Sequence, residues 1–102
     1  MLEVKDLEEA KQIKDCRPFL EKLSKDLQDR YGLTEFEGIR MYGLSFKKGD
    51  LAIMVGFEYL SDKLMVAIKQ KGYKVGFTEK DVVGNLSIQQ VYNLLDKRLG
   101  KC

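Results

Sequence analysis

The chain has 102 residues, 44% of them hydrophobic and 33% charged, which is the size and composition of one folded domain and excludes a disordered or fibrous class. Its 18 basic and 16 acidic side chains leave a formal net charge of +2, short of the basic surplus that marks a dedicated nucleic-acid binder. Histidine is absent, which removes the commonest general base and every nucleophile–histidine pair, and the two cysteines, Cys16 and Cys102, are too far apart in sequence to suggest a disulfide framework or a metal-ligand cluster.

Residues 2–16 carry Val4, Leu7, Ala10 and Ile13 at helical spacing, with charge at most other positions. The apolar stripe is thin, so a peripheral helix is expected. Pro18 suits the first turn of a second helix, where its missing N–H is no loss. Leu20, Leu23, Leu27 and Tyr31 lie on one face of that helix with Phe19 beside them, and Gly32 followed by Leu33 predicts a left-handed C-cap.

From residue 36 to 46 the pattern turns to aromatic and β-branched residues interrupted by Gly38 and Gly43, which predicts one long, twisted strand. Lys47-Lys48-Gly49-Asp50 reads as a turn, so this strand and Leu51–Phe57 should pair as an antiparallel hairpin. Leu51–Phe57 is almost wholly apolar without alternation, the pattern of a strand covered on both faces. Residues 61–71 place Leu64, Ala67 and Ile68 on one helical face between Ser61 as N-cap and Gly72 as C-cap, and we read them as a crossover helix. Read as a strand instead, they would turn the βαβ unit into a meander. Residues 73–77 then supply a second parallel strand. Thr78 caps one helical turn, Gly84-Asn85 interrupts it, and Ser87 with Gln90 forms a capping box for a final helix whose stripe is Ile88, Val91, Leu94 and Leu95.

The expected architecture is therefore α+β in one domain over residues 1–102. It is a single-layer, three-stranded mixed sheet, made of a hairpin plus one βαβ crossover and covered by two N-terminal helices, the crossover helix and a C-terminal helix. No signal-peptide pattern and no apolar run near the roughly 20 residues of a membrane span is present, which leads us to expect a cytoplasmic, reduced protein without a membrane role.

No Walker loop or G-x-G-x-x-G register is found, and no catalytic, cofactor-binding or metal-ligating residue is nominated. The first expectation is a small noncatalytic, regulatory or protein-binding module. The apolar surplus around Phe36, Ile39, Met41, Tyr42 and Phe46 would form its homodimer or partner interface. The next is a DNA-binding regulator, because residues 78–100 resemble a helix-turn-helix in which Gln89, Gln90 and Asn93 would read bases, with Lys47 and Lys48 in support. The third is a small-ligand pocket at the carboxyl ends of the two parallel strands, lined by Gly56, Glu58, Ser61, Gly76 and Thr78.

Overall fold

The structure, a computed structural model, describes residues 1–40, 42–58, 61–70 and 76–99, with the backbone alone described for residues 36–40. Helix α1 spans Val4–Ile13 and opens on a capping box in which the Glu3 N–H donates to the Asp6 carboxylate at 2.8 Å. Leu7 and Ala10 are buried whereas Val4 and Ile13 are exposed, as a thin stripe requires. Helix α2, Arg17–Tyr31, carries Pro18 in its first turn and buries Phe19, Leu20, Leu23, Leu27 and Tyr31. It ends at Gly32, whose φ of 68° lies in the left-handed region that glycine enters without steric cost. The Lys48 ammonium donates to the Tyr31 carbonyl at 2.7 Å, satisfying an orphan acceptor at the negative end of the helix.

The sheet departs from expectation. Among the described residues it has five strands, β1 (Thr34–Arg40), β2 (Gly43–Lys48), β3 (Leu51–Phe57), β4 (Leu64–Gln70) and β5 (Val82–Leu86), in the order β1-β2-β3-β4-β5 with every neighbouring pair antiparallel. The three-stranded mixed sheet and its βαβ crossover are thus replaced by an antiparallel meander. The decisive segment is 61–71. Leu64, Val66 and Ile68 pair across from Phe57, Val55 and Ile53 and join the core, while Met65 and Ala67 point to the opposite side. Period-2 alternation with two β-branched residues outweighs the cap-like Ser61 and Gly72, and Val66, which has no place on a helical stripe, takes a core position. Gly72 and residues 73–75 of the expected second parallel strand lie outside the described residues, and Gly76-Phe77 is not in a strand.

The long strand expected over 36–46 is two strands. Arg40 pairs with Gly43, so the chain reverses between them, and Gly43 opens β2. The second turn is as expected: Lys48 pairs with Leu51 across Gly49-Asp50, with Gly49 at φ 61°.

After the 3₁₀ turn Glu79–Asp81, capped through the Thr78 N–H and the Asp81 carboxylate at 2.8 Å, the chain enters β5 and not a second helical turn. Helix α3, Ile88–Leu99, follows with the expected capping box: the Ser87 N–H donates to Gln90 Oε1 at 2.9 Å and the Gln90 N–H donates to Ser87 Oγ at 3.2 Å. A strand before α3 leaves it without the preceding helix that a helix-turn-helix needs, which corrects that expectation.

All three helices lie on one face of the sheet. Leu44, Phe46, Ile53, Val55, Phe57, Leu64 and Val66 from β2–β4 share one core with Leu7, the α2 stripe, and Val91, Tyr92 and Leu95 of α3. Each such side chain is worth roughly 1.5–3 kcal/mol on full burial. Leu51, Ile53, Val55 and Phe57 are accordingly buried beneath the helices, while on the other parity the small Ala52 and Gly56 are buried and Met54 is partly exposed.

Candidate functional site

That other parity is the helix-free face of the sheet. Strand register makes Arg40, Gly43, Gly56, Met65 and Asn85 one row across the five strands, and Gly38, Ser45, Met54, Ala67 and Val82 the next. A third row runs Lys47, Ala52, Lys69. Two adjacent glycines, Gly43 and Gly56, leave a depression in the middle of the first row. A Cβ at Gly56 would stand 3.4 Å from Met65 Cε and 3.7 Å from Met54 Sδ, so both thioethers lean over the glycine floor.

The result is a groove of ≈ 420 Å³, within the range of about 300–1,000 Å³ usual for small-ligand pockets. Met54 and Met65 form its flexible wall, Ser45 and Asn85 add two neutral polar groups, and Tyr42, Phe57 and Glu58 close one end. Tyr42 is held there by its backbone, whose carbonyl accepts the Phe57 N–H at 2.5 Å, and is 51% exposed. Glu58 is the one charged residue among the described residues that line the groove. Its Oε1 is buried and, among the described residues, has no hydrogen-bond partner. Withdrawing such an acceptor from water without a donor costs about 1–3 kcal/mol, and more when the group is charged.

Of the expected interface, Tyr42 lines the groove, while Phe46 is fully buried under the helices and is core. The parity that places Phe46 inward is set by its pairing with Ile53. Phe36 and Ile39 belong to β1, and Met41 lies outside the described residues. Of the expected pocket, Gly56 and Glu58 line the groove, although the parallel strand ends that suggested them do not exist. The other three are elsewhere: Ser61 lends its carbonyl to the Lys11 ammonium, Gly76 lends its carbonyl to Lys69 at 2.9 Å, and Thr78 caps the 3₁₀ turn.

The amides expected to read bases are engaged locally. Gln90 closes the capping box and the Gln89 side-chain amide donates to Asn93 Oδ1 at 3.1 Å. Lys48 is bound to the end of α2, whereas Lys47 is exposed. Met54, Met65, Ser45 and Asn85 escaped sequence reasoning, although the alternation Gly43-x-Ser45 and Met54-x-Gly56 held the clue once β2 and β3 were paired.

A second polar cluster lies on the helical side. The Tyr92 hydroxyl, buried, donates to Asp26 Oδ2 at 2.5 Å and accepts the Leu2 N–H at 3.2 Å. The Tyr31 hydroxyl donates to Asp96 Oδ1 at 2.5 Å. Arg30 sits 5.9 Å from the Tyr31 ring centroid and 5.5 Å from that of Tyr92. Burial, reinforced by the bond to Asp96, pushes the Tyr31 hydroxyl up to about 12, and burial with the Asp26 bond raises Tyr92 as well. These contacts join α2 to α3 and to the start of the chain, and they have a structural role.

Among the described residues no group of three potential metal ligands stands together, and no helix is long and apolar enough to cross a membrane. Comparison of the chain with protein-family models, with curated proteins and with solved structures finds no match.

Proposed function

We propose that this chain is a noncatalytic binding domain that takes a small ligand in the groove on the helix-free face of its sheet. The observation that carries this reading is the groove itself: a depression of ≈ 420 Å³ floored by Gly43 and Gly56 and walled by two methionines, on the face that the three helices leave open. Sites of this kind are mostly apolar, with a few polar groups that fix orientation, and Ser45, Asn85 and Glu58 supply those here. Methionine walls adapt to the shape of an occupant at little cost. The noncatalytic part of the reading rests on the absence of histidine from the chain.

A ligand that binds only the folded state raises the melting temperature. In a thermal-shift screen of neutral, cationic and anionic small organic molecules, some compounds are expected to stabilise the wild type but not Gly56→Val, whose side chain fills the groove. Stabilisation of both proteins alike, or of neither, would refute the reading.

A second reading, contact with a second copy of the chain over the same face, is favoured by the exposure of Tyr42 (51%) and Val82 (42%), which border the two central rows. Light scattering at high concentration tests it: a dimer that Tyr42→Ala weakens supports it, and a strict monomer removes it.

A further inference from the structure

We propose that the ligand of the groove is a small molecule built on a flat aromatic or heteroaromatic ring, seated with its face on the Gly43–Gly56 floor and its edge against the two thioethers. This inference rests on the reading of the groove as a ligand site and adds the shape and chemistry of the occupant.

The floor sets the shape. Gly43 and Gly56 are direct partners in the β2–β3 ladder, so at this point the sheet presents two adjacent stretches of bare backbone. Neighbouring strands run about 4.8 Å apart, and two such stretches side by side make a patch of about the breadth of one ring. A flat ring rests on peptide planes with all of its atoms in contact, whereas a puckered ring or a kinked chain touches through only some of them.

The walls set the chemistry. Met54 Sδ stands 3.7 Å from where a Cβ on Gly56 would be and 3.9 Å from where one on Gly43 would be, at the seam between the two glycines. Met65 Cε stands 3.4 Å from the same Gly56 position. Both methionines are partly exposed, while Ala52 and Ala67 on the same face are fully buried, so a ligand meets the thioethers first. Sulfur is polarizable and is attracted to the edge of an aromatic ring, a contact that a saturated ring or an alkyl chain does not receive. The unbranched methionine side chains also swing aside readily to admit a ring. Tyr42 at one end offers an aromatic surface for an edge-to-face contact. Ser45, two residues from Gly43 along β2, and Asn85, across from Met65, carry groups that both donate and accept hydrogen bonds. They suit the nitrogen, hydroxyl or carbonyl substituents at a ring edge. None of these contacts depends on the charge of the ligand.

The test uses three uncharged primary alcohols of eight carbons each: 2-phenylethanol with a flat ring, 2-cyclohexylethanol with a puckered one and n-octanol with none. Each is titrated into the full chain, with affinity read from amide chemical shifts. The expected result is that 2-phenylethanol binds about threefold or more tightly than 2-cyclohexylethanol, although it is the less hydrophobic of the two. In the double variant Met54→Leu/Met65→Leu, which keeps apolar walls of similar volume, this preference should disappear while n-octanol affinity stays within about twofold. The single variants Met54→Leu and Met65→Leu should each lower the preference, which keeps the test decisive if the double variant fails to fold. Equal or tighter binding of 2-cyclohexylethanol by the wild type, or a preference that survives the leucine substitutions, overturns the ring assignment. In either event, n-octanol binding that Gly56→Val eliminates would leave the groove reading standing. Absence of binding by all three probes overturns the ring assignment as well, and the thermal-shift comparison of wild type with Gly56→Val then decides the groove reading separately.

Discussion

Gly43 stands directly across the β2–β3 ladder from Gly56, and this pair is the floor of the groove. Neither glycine has a positive φ, so their role here is spatial and not conformational. Substituting Gly56→Val should therefore close the groove without breaking the strand. The new Cβ meets Met65 Cε at 3.4 Å and Met54 Sδ and Met65 Cβ at 3.7 Å, all ordinary van der Waals contacts with side chains, and a β-branched residue suits a strand. Urea denaturation is expected to give a stability within about 1 kcal/mol of the wild type. Gly43→Ala is the harsher change, because its Cβ would stand 3.2 Å from the Val55 carbonyl oxygen, which is backbone. It should cost more than Gly56→Val in the same measurement.

Phe46 and Tyr42, both assigned to one interface by sequence reasoning, should respond in opposite ways. Phe46 is fully buried, so Phe46→Ala removes a core ring and is expected to lower stability by about 3–5 kcal/mol. Tyr42 is 51% exposed, and Tyr42→Ala should change stability by no more than about 0.5 kcal/mol. Chemical denaturation of the two variants side by side checks the parity of β2. Equal effects would contradict it.

The hydroxyls of Tyr31 and Tyr92 should titrate late. Both are raised in the folded state, Tyr31 to about 12, against about 10 for an unfolded tyrosine. A raised folded value means that the unfolded chain loses these protons first as pH rises. The stabilisation is then fully present below about pH 10 and is lost as pH climbs through about 12. Tyrosinate absorbance should show two delayed protons that Tyr31→Phe and Tyr92→Phe each reduce by one. Titration of every tyrosine near pH 10 in the folded protein would contradict the hydrogen bonds to Asp96 and Asp26.

Tyr92→Phe also severs the bond to Asp26. Hydrogen bonds to charged groups contribute about 1.5–3 kcal/mol, and a loss of that size is expected at neutral pH by urea denaturation. Asp26→Asn, which keeps an acceptor oxygen, should lose less.

The helices were legible because their ends carry specific chemistry: Pro18 and Gly32 bound α2, and Ser87 with Gln90 opens α3. The sheet was less so. In residues 61–71 the same apolar residues satisfy a helical stripe and an alternating strand, and flanking caps favoured the helix. Pairing with β3, a contact that the local sequence does not carry, decided for the strand. β5 was missed because Val82-Val83-Gly84-Asn85-Leu86 contains glycine and asparagine, both depleted in strands, and lies at an edge. The groove was least legible of all. Its floor consists of missing side chains, and only the register of β2 against β3 brings Gly43 and Gly56 together. Glu58 and Gly56 were nominated from an argument about parallel strands that the antiparallel topology removes.

The central claim is that ligands enter between Met54 and Met65, over the two glycines. Its most direct test is a titration of protein labelled at the methionine methyls, followed by carbon-detected correlation spectra, with the uncharged apolar molecule n-octanol as the probe. The expected result is saturable shifts of the Met54 and Met65 methyl signals in the wild type, a markedly smaller response of Met1, and no saturable shift in Gly56→Val. Methyl signals of Met54 and Met65 that stay fixed, or that move identically in wild type and Gly56→Val, would contradict the account.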